Sequence, residues 1–188
     1  VENRVAIAAR SRLPMEIHDI SGPLSACESK IVREAVSNGS STLAIKLPGF
    51  SGKLGFKQSD SEGSQLPRLG RELASAAKLA GVAGIFHSDE LPAYGISEND
   101  VNAIKAFLKI SDDDAFAFCV APHWQAKLAM EAVIYRSRRA YHRIPKEVRN
   151  VVIRKGQPED GTTNALRPLP GGARMYPETD IPIQEISN

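Results

Sequence analysis

Apolar and polar residues alternate along this chain in a way that predicts repeated switching between strand and helix. Residues 42–47 have the alternating, β-branched composition of a strand and end at Pro48. Residues 115–121 are almost entirely apolar and predict a second, buried strand, and residues 82–87 predict a shorter one. Helical patterns lie between these strands, so the order of elements predicts a layered domain of sheet and helices.

Apolar residues spaced by three and four predict four helices, of which the first two lie before the middle of the chain. The first spans residues 28–38 and ends at Gly39, a residue type that suits a helix C-terminus. The second begins at Pro67 and ends at Gly81. Their predicted buried positions are Ile31, Val32, Ala35 and Val36 in the first, and Leu69, Leu73, Ala76, Ala77 and Ala80 in the second.

The third and fourth predicted helices follow Ser97 and Pro122. Ser97 and Asp100 have the spacing of a capping box, in which each side chain accepts a hydrogen bond from the other residue's backbone. The fourth helix is long, reaches about Arg143 and is limited by Pro145. The predicted buried positions are Val101, Ile104, Phe107 and Leu108 in the third helix, and Leu128, Ala132, Val133 and Tyr135 or Arg136 in the fourth.

Together these elements predict an α+β domain with a mixed, mainly antiparallel sheet and helices packed on one face. We expect this domain to occupy residues 16–155, with residues 1–15 leading into it. Residues 156–188 predict an extended return segment, because five prolines and four glycines fall between positions 156 and 183. Residues 51–65 are rich in glycine and serine and predict a mobile loop.

Composition narrows the class of protein. The chain has 188 residues, of which 42% are apolar and 24% are charged, and this excludes collagen-like, disordered and coiled-coil classes. No apolar run approaches the ~20 residues of a membrane span, and no secretory leader is recognisable. With no export signal, we expect Cys27 and Cys119 to be two reduced, buried thiols in a cytoplasmic protein. Neither end resembles a natural terminus, so a fragment of a larger protein is expected.

Charge is distributed unevenly. Residues 88–114 contain seven acids and two lysines, whereas residues 135–155 contain eight bases and one acid, with tyrosines among the bases. A basic stripe with aromatic residues suits a nucleic-acid backbone. The candidate contacts are Arg136, Arg139, Arg143, Lys146 and Arg149, and the first three share one helix face by their spacing. Two alternatives stay open: a solvated helix face, and pairing of these arginines with the acidic residues 112–114.

No constellation of residues predicts an active site. The loop at residues 49–55 contains Gly52 and Lys53, but its spacing does not match a phosphate-binding loop. His87, Asp89 and Glu90 follow a predicted strand, where ligands often bind, but neighbouring side chains in an extended segment point in opposite directions. We therefore assign no catalytic, cofactor-binding or metal-binding residue.

Three separated segments resemble a known family. They are Leu-Pro-Gly-Phe-Ser-Gly at residues 47–52, Gly-Ile-Phe-His-Ser-Asp-Glu-Leu-Pro-Ala-Tyr-Gly-Ile at residues 84–96, and Asp-Gly-Thr-Thr at residues 160–163 with the proline-rich residues 166–182. From about Ile17 onward, the chain resembles the E-type subunit of the archaeal glutamyl-tRNA(Gln) amidotransferase. Its middle portion resembles the GAD domain, an insertion that this E-type protein shares with bacterial-type aspartyl-tRNA synthetases.

The resemblance implies a function for the complete enzyme. The E-type subunit, together with a D-type subunit, would convert Glu-tRNA(Gln) to Gln-tRNA(Gln). ATP and Mg²⁺ would activate the glutamyl carboxyl as an acyl phosphate, and ammonia from an amide donor would displace the phosphate. The family's catalytic part lies mostly N-terminal to the insertion, so this chain is expected to be a non-catalytic module without a cofactor of its own. The alternative is a free-standing regulatory or ligand-binding α/β domain. Ile183 stands where the family usually has proline.

Overall fold

The computed structural model describes residues 13–57 and 68–141 and two further strands. Within these residues the elements follow in the order β1 (Ile17–Asp19), α1 (Lys30–Ser37), β2 (Ser41–Leu47), α2 (Leu69–Lys78), β3 (Phe86–His87), α3 (Glu98–Phe107), β4 (Ala115–Ala121), α4 (His123–Ala140), β5 (Glu147–Val151) and β6 (Thr163–Pro168). The predicted alternation of helix and strand is confirmed, and β4 has the predicted bounds.

The main sheet has four antiparallel strands in the order β1-β2-β4-β3. Its centre is the long β2–β4 ladder, in which Leu43 faces Cys119 and Leu47 faces Ala115. The strand predicted over residues 82–87 is only two residues long, because β3 pairs with β4 only at Phe86 and His87. These pairings confirm the α+β class and its antiparallel sheet.

A second, two-stranded sheet is formed by β5 and β6, which pair antiparallel. Strand β6 falls within residues 156–188, where the composition predicts an extended connection. A strand is itself extended, and the proline at its end, Pro168, pairs with Glu147 at the edge of this small sheet. The predicted domain bounds at residues 15 and 155 stay a prediction.

Helices cover both faces of the main sheet, so the prediction of helices on a single face is wrong. On one face, α2 and α4 pack against Leu43, Ile45 and Ala117. On the other face, α1 and α3 pack against Phe116 and Phe118. Alternate residues of β2 and β4 therefore enter two different cores, which explains why these strands are apolar without interruption.

Helix α4 is buried through positions that the sequence analysis mostly did not select. Its fully buried side chains are Ala126, Ala129, Met130, Val133 and Ser137. Leu128 and Tyr135, which were predicted to face inward, are exposed. Small residues at the contact let α4 lie close to the sheet and to α2, so alanines form the inner face in place of leucine. Of the two alternatives for the last inner position, Arg136 lies at the edge of the buried face.

The other helices confirm part of the predicted core. Leu73 and Ala77 of α2 and Ile104 of α3 are fully buried, and Val101 of α3 is buried. In α1, the predicted stripe is wrong at two positions. Helix α1 is short and fully buries only Val32. Two of its other apolar side chains reach solvent, and so does the last residue of α3. The exposed positions are Ile31, Val36 and Phe107.

The structure contains the cap that the sequence predicts at the start of α3. The Ser97 hydroxyl accepts a hydrogen bond from the amide of Asp100, and the Asp100 carboxylate accepts one from the amide of Ser97, at 3.2 and 2.8 Å. This is the predicted capping box. The predicted turn before it contains a cis Leu91–Pro92 bond and Gly95 at a φ of 79°.

Both cysteines are buried free thiols, as expected. Burial raises the pKa of Cys119 to about 12 and also raises the pKa of Cys27. Among the helices of the described residues, none has the length and hydrophobicity needed to span a bilayer.

Candidate nucleic-acid interface

The outward face of α4 has an apolar and aromatic stripe. Trp124, Leu128 and Tyr135 are 64%, 48% and 64% exposed. At about 100° per residue, their spacings of four and seven place them on one side of the helix, nearly opposite Ala126 and Val133 in the core. We call Trp124, Leu128, Tyr135, Arg138 and Arg139 the outer face of α4. The spacing of the first three was visible in the sequence, but the prediction placed two of them inside.

Two arginines complete this outer face at its C-terminal end. Arg138 is exposed, and within residues 13–57 and 68–141 it has no hydrogen-bond or ion-pair partner. The guanidinium of Arg139 lies 5.5 Å from the centre of the Tyr135 ring and donates to the Tyr135 hydroxyl at 3.4 Å. This cation–π contact holds Arg139 beside the exposed ring. Arg138 is not among the candidate contacts predicted from the sequence, yet it is more exposed than Arg139.

Arg136 has different surroundings from Arg139. Its Nη2 donates to Oε2 of Glu72 at 2.9 Å, and the two side chains are only 13% and 9% exposed. The pair joins α4 to α2 beside the core. Arg136 therefore stabilises the packing of two helices, and the outer face does not include it, although its spacing from Arg139 predicted a shared face.

Internal pairing with the acidic residues 112–114 was the competing prediction. Asp114 instead binds Lys46, whose Nζ lies 2.9 Å from Oδ2, and accepts hydrogen bonds from Ser111 and from the amide of Gly49. Burial alone would raise the pKa of Asp114, but the hydrogen bonds from Ser111, Lys46 and Gly49 lower it to about 2. The α4 arginine that forms an internal ion pair is therefore Arg136, and its partner is Glu72.

The remaining candidate contacts are less completely described. Arg143 and Lys146 lie outside the described residues. Arg149 lies in β5, of which the structure describes the backbone at this position. Their contact with nucleic acid stays a prediction.

Asp89, one of the residues that follow β3, has a structural role. Its carboxylate accepts hydrogen bonds from the amides of Gly52, Leu54 and Gly55 at 3.1, 2.7 and 3.1 Å. These contacts fix residues 52–55, which the composition had assigned to a mobile loop, and Leu54 is fully buried. The same amides are no longer available to a phosphate. Glu90 contacts His87 separately, so the three residues border one pocket but their polar groups have different partners.

The described residues contain no cluster of side chains suited to a metal ion. Across the described ranges, no three histidine, cysteine, aspartate or glutamate side chains lie close enough together to hold one. The exposed aromatic and arginine side chains of α4 make its outer face the candidate functional site.

Comparison with known proteins gives the family. A family model for the GAD domain matches residues 32–130, slightly more than half of the chain. Three similar proteins are named as the E-type subunit of a glutamyl-tRNA(Gln) amidotransferase. That of Methanosarcina acetivorans is 42% identical over 92% of this chain, that of Methanopyrus kandleri 43% over 90%, and that of Pyrococcus abyssi 43% over 89%.

This chain covers only 24–25% of the length of those three relatives. The matched residues 32–130 include β2, β3 and β4, the helices α2 and α3 and the N-terminal part of α4. The predicted resemblance to this amidotransferase protein and its GAD domain is therefore confirmed, and the chain belongs to the GAD domain family.

Proposed function

We propose that this chain is the GAD-containing, non-catalytic module of a tRNA-dependent amidotransferase. With a D-type partner subunit, the complete enzyme would convert Glu-tRNA(Gln) to Gln-tRNA(Gln) in the cytoplasm. Identity of about 42% along nine-tenths of this chain to proteins named for that activity supports the proposal. Because the chain spans a quarter of those proteins, the activity belongs to the whole enzyme.

The described residues offer no metal site for the Mg²⁺ that, with ATP, the resemblance implies for the complete enzyme. No group of three ligating side chains is present there for Mg²⁺. The amides of the glycine-rich residues 52–55 are bound to Asp89 and cannot hold a phosphate. We propose that ATP and Mg²⁺ bind in the catalytic part of the complete enzyme, which the resemblance places mostly N-terminal to this module.

The role proposed for the module is contact with the tRNA backbone through the outer face of α4. The observation that carries it is an exposed Arg138, which has no partner within residues 13–57 and 68–141, next to an Arg139 held on the exposed ring of Tyr135. Guanidinium groups bind phosphates through paired donors, and exposed aromatic rings stack on unpaired bases. Contacts with phosphates contribute affinity but carry no sequence information, so discrimination of tRNA(Gln) would come from other parts of the enzyme.

The test uses the intact two-subunit amidotransferase containing this segment. Arg138→Gln and Arg139→Gln together should raise the KM for Glu-tRNA(Gln) several-fold with little change in kcat, because ground-state and transition-state binding weaken equally. The matched control is Arg33→Gln with Lys105→Gln, which removes the same charge from α1 and α3 on the opposite face of the sheet.

A KM that changes equally in both double variants would contradict the role of α4. Failure of the chain to associate with an amidotransferase at all would favour a free-standing regulatory or ligand-binding domain.

A further inference from the structure

A pocket of about 350 Å³ opens at the N-terminus of α2, on the other side of that helix from the Glu72–Arg136 pair. It lies between the first turn of α2, the turn at residues 54–55 and the turn that follows β3. The charged and titratable side chains that line it are Arg68, Arg71, His87, Asp89 and Glu90. None of them contributes to the outer face of α4.

The cationic side chains of this pocket are Arg68 and Arg71. In the described part of the chain, Arg68 and Arg71 make neither a hydrogen bond nor an ion pair. Arg68 is the N-cap residue of α2 and its side chain caps nothing. The acid of the first turn, Glu72, is bound to Arg136. The positive end of the helix dipole thus faces the pocket beside two free guanidinium groups.

The carboxylates of the pocket are already bound. Asp89 accepts three backbone hydrogen bonds from residues 52–55. Oε1 of Glu90 accepts the amide hydrogen of His87 at 3.3 Å, and its Oε2 lies 3.6 Å from Nε2 of His87. Bound acceptors and free donors together favour a ligand that is rich in acceptor oxygens.

His87 is the independent sign of a ligand. The residue is only 8% exposed, its ring lines the pocket, and its Nδ1 is buried with no hydrogen-bond partner. Buried polar atoms in proteins are rarely left unsatisfied. A β-carbon at Gly70 would lie 2.6 Å from Nε2 of His87 and 2.8 Å from the carbonyl oxygen of Leu54. Glycine there lets the helix terminus approach the imidazole closely.

We propose that this pocket is a phosphate-binding site in which Arg68 and Arg71 bind the phosphate oxygens beside His87. Two free arginines at a helix N-terminus suit a phosphate, which presents several oxygens to paired guanidinium donors. The volume also admits a mononucleotide. The phosphate belongs to a free anion, a nucleotide or an RNA backbone. The proposal does not rest on the amidotransferase function.

The experiment titrates the 188-residue chain with inorganic phosphate and follows the ring resonances of His87 by NMR. We expect a saturable shift and a roughly tenfold weaker affinity in Arg71→Gln, because a charge-assisted hydrogen bond is lost. Arg71 is exposed, so the fold should be retained, which the melting temperature without phosphate checks. Lys78→Gln, at the other end of the same helix, is the matched control and should bind as the unchanged chain does.

Further titrations distinguish a free phosphate anion, a nucleotide and an RNA backbone as the source of the bound phosphate. Saturable binding of AMP or of inorganic phosphate, weakened by Arg71→Gln, supports a site for free phosphates. Binding of a short single-stranded RNA that depends on Arg71 in the same way supports a backbone phosphate in this pocket. No saturable shift with any of these three probes, an equal effect of Arg71→Gln and Lys78→Gln, or equal binding of acetate would overturn the proposal.

Discussion

Arg136 of α4 and Glu72 of α2 are 64 positions apart in the chain and form a nearly buried ion pair, with Nη2 and Oε2 2.9 Å apart. The pair marks the boundary between the inner and outer faces of α4. Beyond this pair, Arg138 is exposed and Arg139 is half-buried, whereas Arg136 stabilises the packing of two helices. The basic stripe in the sequence thus contains residues with two different roles.

Breaking this ion pair should destabilise the fold. Arg136→Gln removes the guanidinium that lies 2.9 Å from the Glu72 carboxylate in a site that is only 9% exposed, so we expect the free energy of unfolding to fall by about 3 kcal/mol. Urea unfolding measures this. Arg138→Gln, two residues along the same helix, should change stability by less than about 0.5 kcal/mol. Equal stability of the two variants would mean that the pair contributes nothing.

Asp114 should make the fold sensitive to acid. Its folded pKa of about 2 lies below its ordinary value of 3.8, so its stabilising effect is complete above that value and is lost as the pH falls from about 4 to about 2. The shift corresponds to about 2 kcal/mol. Asp114→Asn should lower stability by that amount at pH 7, and its difference from the unchanged chain should disappear near pH 2.

Asp112→Asn alters an exposed residue of the same turn and is the control for the acid experiment. It should change the free energy of unfolding at pH 7 by less than about 0.5 kcal/mol. If the Asp114→Asn variant kept a constant deficit in stability down to pH 2, the lowered pKa of Asp114 would be refuted.

The capping box of α3 should contribute measurably to stability. Ser97→Ala removes the oxygen that accepts the amide hydrogen of Asp100, at a cost of about 1 kcal/mol. Ser25→Ala changes an exposed serine outside the helices and is the control. Identical thermal midpoints for the two variants would show that the cap is dispensable.

Asp89 should be needed to order residues 52–55. Asp89→Asn replaces a carboxylate that accepts three amides by an amide group with one acceptor oxygen, which should cost about 2 kcal/mol. Hydrogen exchange at the amide of Leu54 should accelerate more than exchange in the β2–β4 ladder. Exchange at Leu54 that stays as slow as before would argue against this role.

The sequence predicts the local features of this fold well because their signals are local. The capping box, the turn before it and β4 each depend on residues a few positions apart. The buried face of α4 was predicted less well. Ala126 and Ala129, which are only weakly hydrophobic, form that face, while Leu128 is exposed. The residue types alone do not reveal how closely two elements approach.

Long-range polar contacts could not be predicted for a similar reason. Asp89 binds residues about 35 positions earlier, and Glu72 binds an arginine 64 positions later. Before the fold was known, each charged side chain suggested a solvated surface or a ligand site. The basic character near residue 138 was predicted from the sequence, but the division between Arg136 in the packing and Arg138 on the surface required the structure.

The salt dependence of RNA binding tests the central claim most directly. Binding of tRNA to the 188-residue chain should weaken linearly in log affinity against log salt. Replacing Arg138 and Arg139 by glutamine should reduce the magnitude of that slope by about 1.5, since each phosphate contact contributes roughly 0.7–0.9. The Arg33→Gln, Lys105→Gln control should keep the original slope. An unchanged slope and affinity in the Arg138→Gln, Arg139→Gln variant would contradict the assignment of the outer face of α4 as the nucleic-acid contact.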